Sequence, residues 1–242
     1  MNSVLQKLDL AALAEGIEFP YRPIPLATIG SIDLSLFICE GPPSWHRQPS
    51  HNETLFVLEG VITLEGPAGR LVVNEGEVAS IPGAFEHNEN SGMRSTVLLF
   101  REGPFDEAIN GHPHTPPIVA SGTLGKLNVA ANVRTLRPFE WLAAGTTGAY
   151  TLVASRLSGA SAPYVTPQGS LLVLVYRGVL DYESDLESGT IVGSQMLVVP
   201  TRTDLRLRSE SGATVILLTR RGAPLPEPST AGSGRADADA TP

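Results

Sequence analysis

Cysteine is nearly absent from this chain: Cys39 is the one. A single thiol closes no internal disulfide, so nothing points to an oxidising compartment. Cys39 follows the apolar run Leu34-Ser35-Leu36-Phe37-Ile38 and reads as a buried, inert thiol rather than a nucleophile. Basic residues are also scarce. Lys and Arg number 17 against 25 Asp and Glu, a net charge of −8. That balance argues against nucleic acid as a partner, because a phosphate-binding surface needs clustered positive charge. The acidity is read instead as a solubility feature. No apolar run approaches the length of a membrane span, so no membrane partner is expected. Met1 to Glu15 scatters its leucines among Lys7 and Asp9 with no continuous apolar stretch. It is not a signal peptide by that pattern, and the expected location is the cytoplasm.

What the chain does have is turn chemistry. Its 24 glycines and 20 prolines in 242 residues suit short strands joined by tight turns. Ile32 to Ile38, Thr54 to Leu58, Val61 to Leu64 and Thr96 to Phe100 are short apolar runs bounded by Gly, Pro, Asn or Ser. Only Val4 to Ala14 reads as a helix, with Leu5, Leu8 and Ala12 on one side. The chain then repeats itself at an offset of 118 residues. That offset lays Gly30 on Gly148, Leu34 on Leu152, Gly41 on Gly159, Val57 on Val175 and Gly60 on Gly178. Further on it lays Pro82 on Pro200, Thr96-Val97 on Thr214-Val215, and Leu99 on Leu217. Matches at turn glycines and a proline imply a duplicated domain. The correspondence drifts by a residue or two between about 185 and 212. The expected organisation is a first domain over 1–105, a linker over 106–125 carrying His112, His114 and several prolines, a second domain over 126–221, and a disordered Pro/Ser/Ala-rich tail over 222–242.

One segment carries chemistry. In Trp45-His46-Arg47-Gln48, the side chains of His46 and Gln48 point to one face if the segment is extended. Pro49 to Asn52 is turn-like and resets the parity, so Glu53 can join that face at the start of the next strand. Farther along, Gly76 to Ile81 ends in a Pro82-Gly83 turn that delivers His87. Two imidazoles and a carboxylate, His46, His87 and Glu53, make a facial set for Fe(II), which Mn, Ni, Co or Zn can also occupy.

These residues resemble the cupin superfamily. Its first motif is matched by Gly41, four residues, His46-x-Gln48, four residues, Glu53, six residues and Gly60. Its second is matched by Gly76, five residues, Pro82-x-Ala84, two residues, His87, three residues and Ser91. The motifs cover roughly residues 25–101, and the repeat extends the fold to about 126–220. The resemblance implies an all-β bicupin, two conical jelly-roll barrels in tandem, each completed by a strand from the other barrel or from a partner chain. It also implies a homodimer and a metal held by His46, Gln48, Glu53 and His87. Gln48 stands where the family has a second histidine; its carbonyl oxygen ligates more weakly than imidazole, or leaves that position to water or substrate. Ala84 replaces the turn glycine. In the second copy Tyr164, Thr166, Leu171 and Leu205 take the four ligand positions, so that barrel is structural or holds a metal-free apolar pocket.

His51 in the turn and Glu86 beside His87 are the nearest candidates for a general base. Trp45 and Phe85 are candidates for the pocket rim, Phe56 for the barrel core, and Arg94 and Arg101 for holding an acidic substrate. The activity implied is that of a metal-dependent enzyme on a small organic molecule, a dioxygenase first, with an isomerase or lyase using the same ligands. A non-catalytic binding barrel is the alternative from another class, since the cupin fold hosts many unrelated activities.

Overall fold

The computed structural model describes residues 4–41, 45–47, 51–67, 69–103, 109–110, 124–166 and 169–229. Gln48, His112 and His114 therefore lie outside the described residues, as does the chain from 230 onward.

The first half contains β1 (Gln6–Asp9), α1 (Leu10–Glu15), β2 (Ile24–Ile29), β3 (Ile32–Gly41), β4 (His46–Arg47), β5 (Glu53–Glu59), β6 (Val61–Gly66), β7 (Gly69–Asn74), β8 (Glu77–Ile81), β9 (Asn88–Glu102) and β10 (Ile109–Asn110). The second half contains β11 (Gly125–Asn128), α2 (Val129–Asn132), β12 (Leu142–Thr147), β13 (Tyr150–Ala160), β14 (Tyr164–Val165), β15 (Leu171–Ser184), β16 (Ser188–Val192), β17 (Gln195–Val199) and β18 (Asp204–Arg220). The offset read from the sequence reappears in these bounds. Strand β2 maps onto β12, β4 onto β14 and β8 onto β17 at 118 residues, so the register holds even where the sequence match drifts.

The two main sheets run β11-β8-β5-β9-β3-β2 and β1-β17-β15-β18-β13-β12. Each begins with a strand from the other half of the chain. Gln6–Asp9 pairs with Gln195–Val198 in the second barrel, and Gly125–Asn128 pairs with Glu77–Ser80 in the first. Both crossing strands end in the cap of a short helix: Asp9 accepts from the Ala12 amide at 3.0 Å and Asn128 from the Ala131 amide at 2.7 Å. Buried Glu77 fastens the second crossing strand, accepting from Lys126 Nζ at 2.8 Å and Asn128 Nδ2 at 3.2 Å.

The helix expected over Val4 to Ala14 is thus corrected: its first part is a strand, and only Leu10–Glu15 is helical. The pairing that decides this lies on β17, far along the chain, so local periodicity carries no trace of it. Past Arg221, where the composition reads as tail, the chain is packed as far as Ser229. Ala162 N donates to the Glu227 carbonyl and Ser229 N to the Ala160 carbonyl. Leu225 lies against the second barrel's core.

Three apolar cores follow from strand alternation. Leu55, Val57, Val97, Leu99, Phe37 and Cys39 point into the first barrel. Val153, Leu171, Val173, Val175, Val215 and Leu217 fill the second. Their neighbours in sequence, Leu34, Leu36, Phe56, Leu98, Leu152, Leu172 and Ile216, meet in a third core between the barrels. Phe56 is core, as expected, but it packs edge-on against Tyr176 of the other half at 5.3 Å. Strands buried on both faces explain why the sequence shows continuous apolar runs instead of strict alternation.

The repeat is also written in backbone geometry. Gly60 and Gly178 adopt φ of +88° and +94° at equivalent turns. A Cβ on Gly178 would lie 2.4 Å from the Gly212 carbonyl oxygen, whereas one on Gly60 would meet the Ser95 hydroxyl first, with the Ser95 Cβ and Cα at 2.9 and 3.0 Å. Backbone cannot swing aside as a hydroxyl can. Gly178→Ala is therefore expected to cost about 2–4 kcal/mol and Gly60→Ala less, measured as urea-unfolding midpoints.

Candidate metal centre

Strand β4 lies against His87, the residue just before β9, through a two-bond bridge: His46 N donates to the His87 carbonyl and His87 N to the His46 carbonyl, both at 2.9 Å. This places two imidazoles side by side, with ring centroids 4.4 Å apart. The turn that delivers His87 has Ala84 at φ +61°, the left-handed conformation for which the family uses glycine. Glu89 sits two residues beyond His87. It pairs with Leu64, a residue of the first barrel's core, so its side chain also enters the barrel. Glu53 opens β5 and stands opposite Ile81 on one side and Arg101 on the other.

The ligand atoms of His46, His87 and Glu89 all lie within 4.8 Å of one another. Nε2 of His87 is 3.2 Å from Glu89 Oε1 and 3.4 Å from Glu53 Oε2, and Nε2 of His46 is 3.6 Å from Glu89 Oε1. The His87 side chain is 0% exposed, while that of His46 is 18% exposed, so the cluster meets solvent on the His46 side.

Electrostatics here are dominated by burial and by opposed charges. Burial works against a charge on His87, but Glu89 and Glu53 outweigh it and lift its pKa to about 9. Burial raises Glu89, yet the two imidazoles overcome that and hold its carboxyl down at about 2. For Glu53 burial wins, and its pKa is raised despite His87 and Arg101. His87 Nδ1 donates to the Phe85 carbonyl at 2.9 Å, which fixes the ring and turns Nε2 toward the carboxylates. That Nε2 and Glu53 Oε2 are both buried without a hydrogen-bond partner. Two carboxylates converging on such a nitrogen call for a cation, either a proton or a metal ion. The residues present fit a divalent metal, with two nitrogen ligands and a carboxylate oxygen.

Of the residues singled out from the sequence, the structure brings together His46, Glu53 and His87. Glu89 was missed, although its spacing of two from His87 on a strand puts it on the same face. His51 is half-buried with its ring against Gly103, where a Cβ would lie 2.7 Å from its Nε2. Phe85 is buried in the first barrel's core rather than lying on a rim, and Trp45 is half-buried. Arg94 donates to the Ala14 and Ile17 carbonyls at 2.8 and 2.9 Å, closing the end of α1 instead of facing the cluster. Burial lifts the Cys39 thiol to about 12, as an inert thiol requires.

The second barrel has the same frame without the chemistry. Tyr164 pairs with Leu205 where His46 pairs with His87, and Leu171 and Leu207 stand for the two glutamates. The Tyr164 hydroxyl donates to the Pro224 carbonyl at 3.1 Å and Trp141 Nε1 to the Pro226 carbonyl at 2.9 Å. Thr166 Oγ1 donates to the Pro200 carbonyl at 2.7 Å and accepts from Thr203 N at 2.8 Å. Among the described residues no second group of metal-ligating side chains occurs.

Two tandem barrels, with a His-His-Glu cluster in the first that could hold a metal ion, give the chain the cupin fold in its two-barrel form. Solved structures bear this out. The chain superposes on salicylate 1,2-dioxygenase from Pseudaminobacter salicylatoxidans with a TM-score of 0.70 and 13% identity, covering 90% of this chain and 84% of that one. An adduct of that enzyme with gentisate gives 0.69 at 16% identity, over 90% and 81%. A cupin 2 conserved barrel domain protein from Leptotrichia buccalis gives 0.69 at 12% identity, over 89% and 96%. No family model matches the sequence, and no curated protein does. Among the described residues, no helix is long and apolar enough to cross a membrane.

Proposed function

We propose that this chain is a metal-dependent cupin acting on a small organic molecule, with dioxygenase-type oxidation as the leading reaction. The observation that carries the reading is the convergence of His46, His87 and Glu89 ligand atoms at the first barrel, beside its apolar core. The architecture shared with a salicylate dioxygenase, whose adduct with gentisate is known, supports a small hydroxylated acid as the kind of molecule accommodated. A bound Fe(II) would supply Lewis acidity and a redox centre, and Mn, Ni, Co or Zn the Lewis acidity that an isomerase or lyase uses. The protein's own part is to hold His87 by its Nδ1 bond to Phe85, to exclude water behind it with Phe85, Leu64 and Ile81, and to leave the His46 side open. Gln48 is proposed as a weak further ligand or a substrate contact.

The test is elemental mass spectrometry of tag-free protein purified without added metal, beside a His46→Ala/His87→Ala variant. The wild type should carry about one equivalent of a transition metal, and the variant less than about a tenth of that. Oxygen uptake with hydroxylated aromatic acids then separates the dioxygenase from the non-redox reactions. No metal in either protein, and no thermal shift on adding it, would sink the enzyme reading and leave a binding barrel.

A further inference from the structure

The second barrel has lost its metal-ligating side chains, yet the place where they would stand is occupied. The segment Pro224–Ser229 returns to Tyr164, the counterpart of His46, after an exposed turn at Arg221-Gly222 in which Gly222 has φ +76°. Proline stands at 224, 226 and 228, so every second residue of the segment lacks an N–H. The barrel supplies donors where such a segment can only accept. The Tyr164 hydroxyl reaches the Pro224 carbonyl at 3.1 Å, and Trp141 Nε1 reaches the Pro226 carbonyl at 2.9 Å. Between those carbonyls, Leu225 packs on the barrel's core, and Pro226 is buried beside it. The residues that do carry amides add to a strand edge. Ala162 N donates to the Glu227 carbonyl at 2.8 Å, Ser229 N donates to the Ala160 carbonyl at 2.9 Å, and Ser161 forms an antiparallel bridge with Pro228. Main-chain bonds along an edge, with a pocket for an apolar anchor, are the components of peptide recognition by strand addition. Pro224, Glu227, Pro228 and Ser229 stay exposed, so burial is concentrated on Leu225 and Pro226. The groove is also longer than the segment in it: Ser229 borders a cleft of about 450 Å³ lined by Ala160, Ser161, Pro163, Tyr182, Arg206 and Arg208.

We infer that the second barrel carries a peptide-binding site in place of a metal site. Its ligand is an extended segment with a leucine between two prolines, and residues 224–229 of this chain are its resident occupant, tethered at Gly222. Trp141 and Tyr164 read the proline carbonyls, the barrel's core takes the leucine, and the Ala160–Ala162 edge takes the backbone that follows. The site is independent of the metal centre in the first barrel. It gives the second barrel a binding role that needs none of the four ligand positions it has lost.

The experiment uses the full-length chain carrying Leu225→Asp, which puts a charge where the anchor packs and releases the resident segment. A fluorescein-labelled synthetic peptide with the sequence of residues 222–229 is titrated into this variant and into the wild type, with binding followed by fluorescence anisotropy. A segment on so short a tether competes at an effective concentration on the order of millimolar. The peptide should therefore bind Leu225→Asp at least about tenfold more tightly than it binds the wild type. Adding Trp141→Phe to Leu225→Asp should weaken the peptide about tenfold, because a buried carbonyl loses its donor. A peptide that itself carries Leu225→Asp should not bind. Equal binding by the wild type and Leu225→Asp would overturn the inference, as would affinity unchanged by Trp141→Phe. So would absence of binding to a Leu225→Asp protein that still unfolds cooperatively on heating. Leu225→Ala takes its place if the aspartate variant does not fold. Failure of both to fold would make the segment a piece of the barrel's core rather than a ligand, and the inference would fall.

Discussion

Replacing His87 with alanine is expected to destabilise the metal-free protein by about 3–5 kcal/mol as well as to abolish metal binding, because it strands buried carboxylates without a counter-charge. His87 lies between Glu53 and Glu89, at 3.4 and 3.2 Å. Its pKa is raised to about 9 from 6.5, so its stabilising charge is fully present below pH 6.5 and is lost as pH rises through about 9. The Glu89 carboxyl is lowered to about 2 from 4.5, so its contribution is present above pH 4.5 and is lost as pH falls through about 2. The deficit of His87→Ala should therefore be greatest between about pH 4.5 and 6.5 and should narrow above about pH 9. Urea unfolding of metal-free protein across that range measures it. Adding Glu53→Gln to His87→Ala removes one stranded charge and should restore part of the loss. A deficit independent of pH would show that packing, not charge, is what His87 contributes.

Metal affinity should climb steeply with pH for the same reason. Below about pH 9 the His87 imidazole of the metal-free protein is protonated, and a metal must displace that proton to reach Nε2. Apparent affinity is then expected to rise roughly tenfold per pH unit between about pH 6.5 and 8.5, and to level off above about pH 9. Calorimetry in two buffers of different ionisation enthalpy should record release of about one proton per metal bound. A flat affinity over this range, with no proton released, would mean that the ion does not use the His87 nitrogen.

Much of this was legible in the residues. The 118-residue offset locates both barrels, and its glycines recur with left-handed backbones at Gly30 and Gly148, Gly41 and Gly159, and Gly60 and Gly178. The spacing around His46 and His87 identifies the two imidazoles that meet across the His46–His87 bridge. Glu89 went unread because the motif already offered a carboxylate at Glu53, although parity along the strand pointed to it. The division of each strand into two buried faces was not legible either. Leu55 and Phe56 are equally apolar, and only the docking of the second barrel sends them to different cores. The strand at Gln6–Asp9 was invisible for a related reason: its edge partner is about 190 residues away, and its own apolar spacing suits a helix as well.

The exchange of edge strands has a bearing on how the second barrel has aged. Gly125–Asn128, from the half that lost its ligands, borders the very strand that leads into the turn bearing His87. Gln6–Asp9 makes the reciprocal loan. The arrangement is that of a domain-swapped dimer whose two protomers have been fused into one polypeptide. Substitutions such as Leu205 and Leu207 can erase the chemistry of one half freely, since an apolar interior is no hardship for a barrel. Deleting that half is another matter, because the surviving barrel would lose an edge strand beside its reactive turn and bare an apolar flank built to be covered. The backbone of the second half is therefore part of the first barrel's structure, whatever side chains fill its own interior.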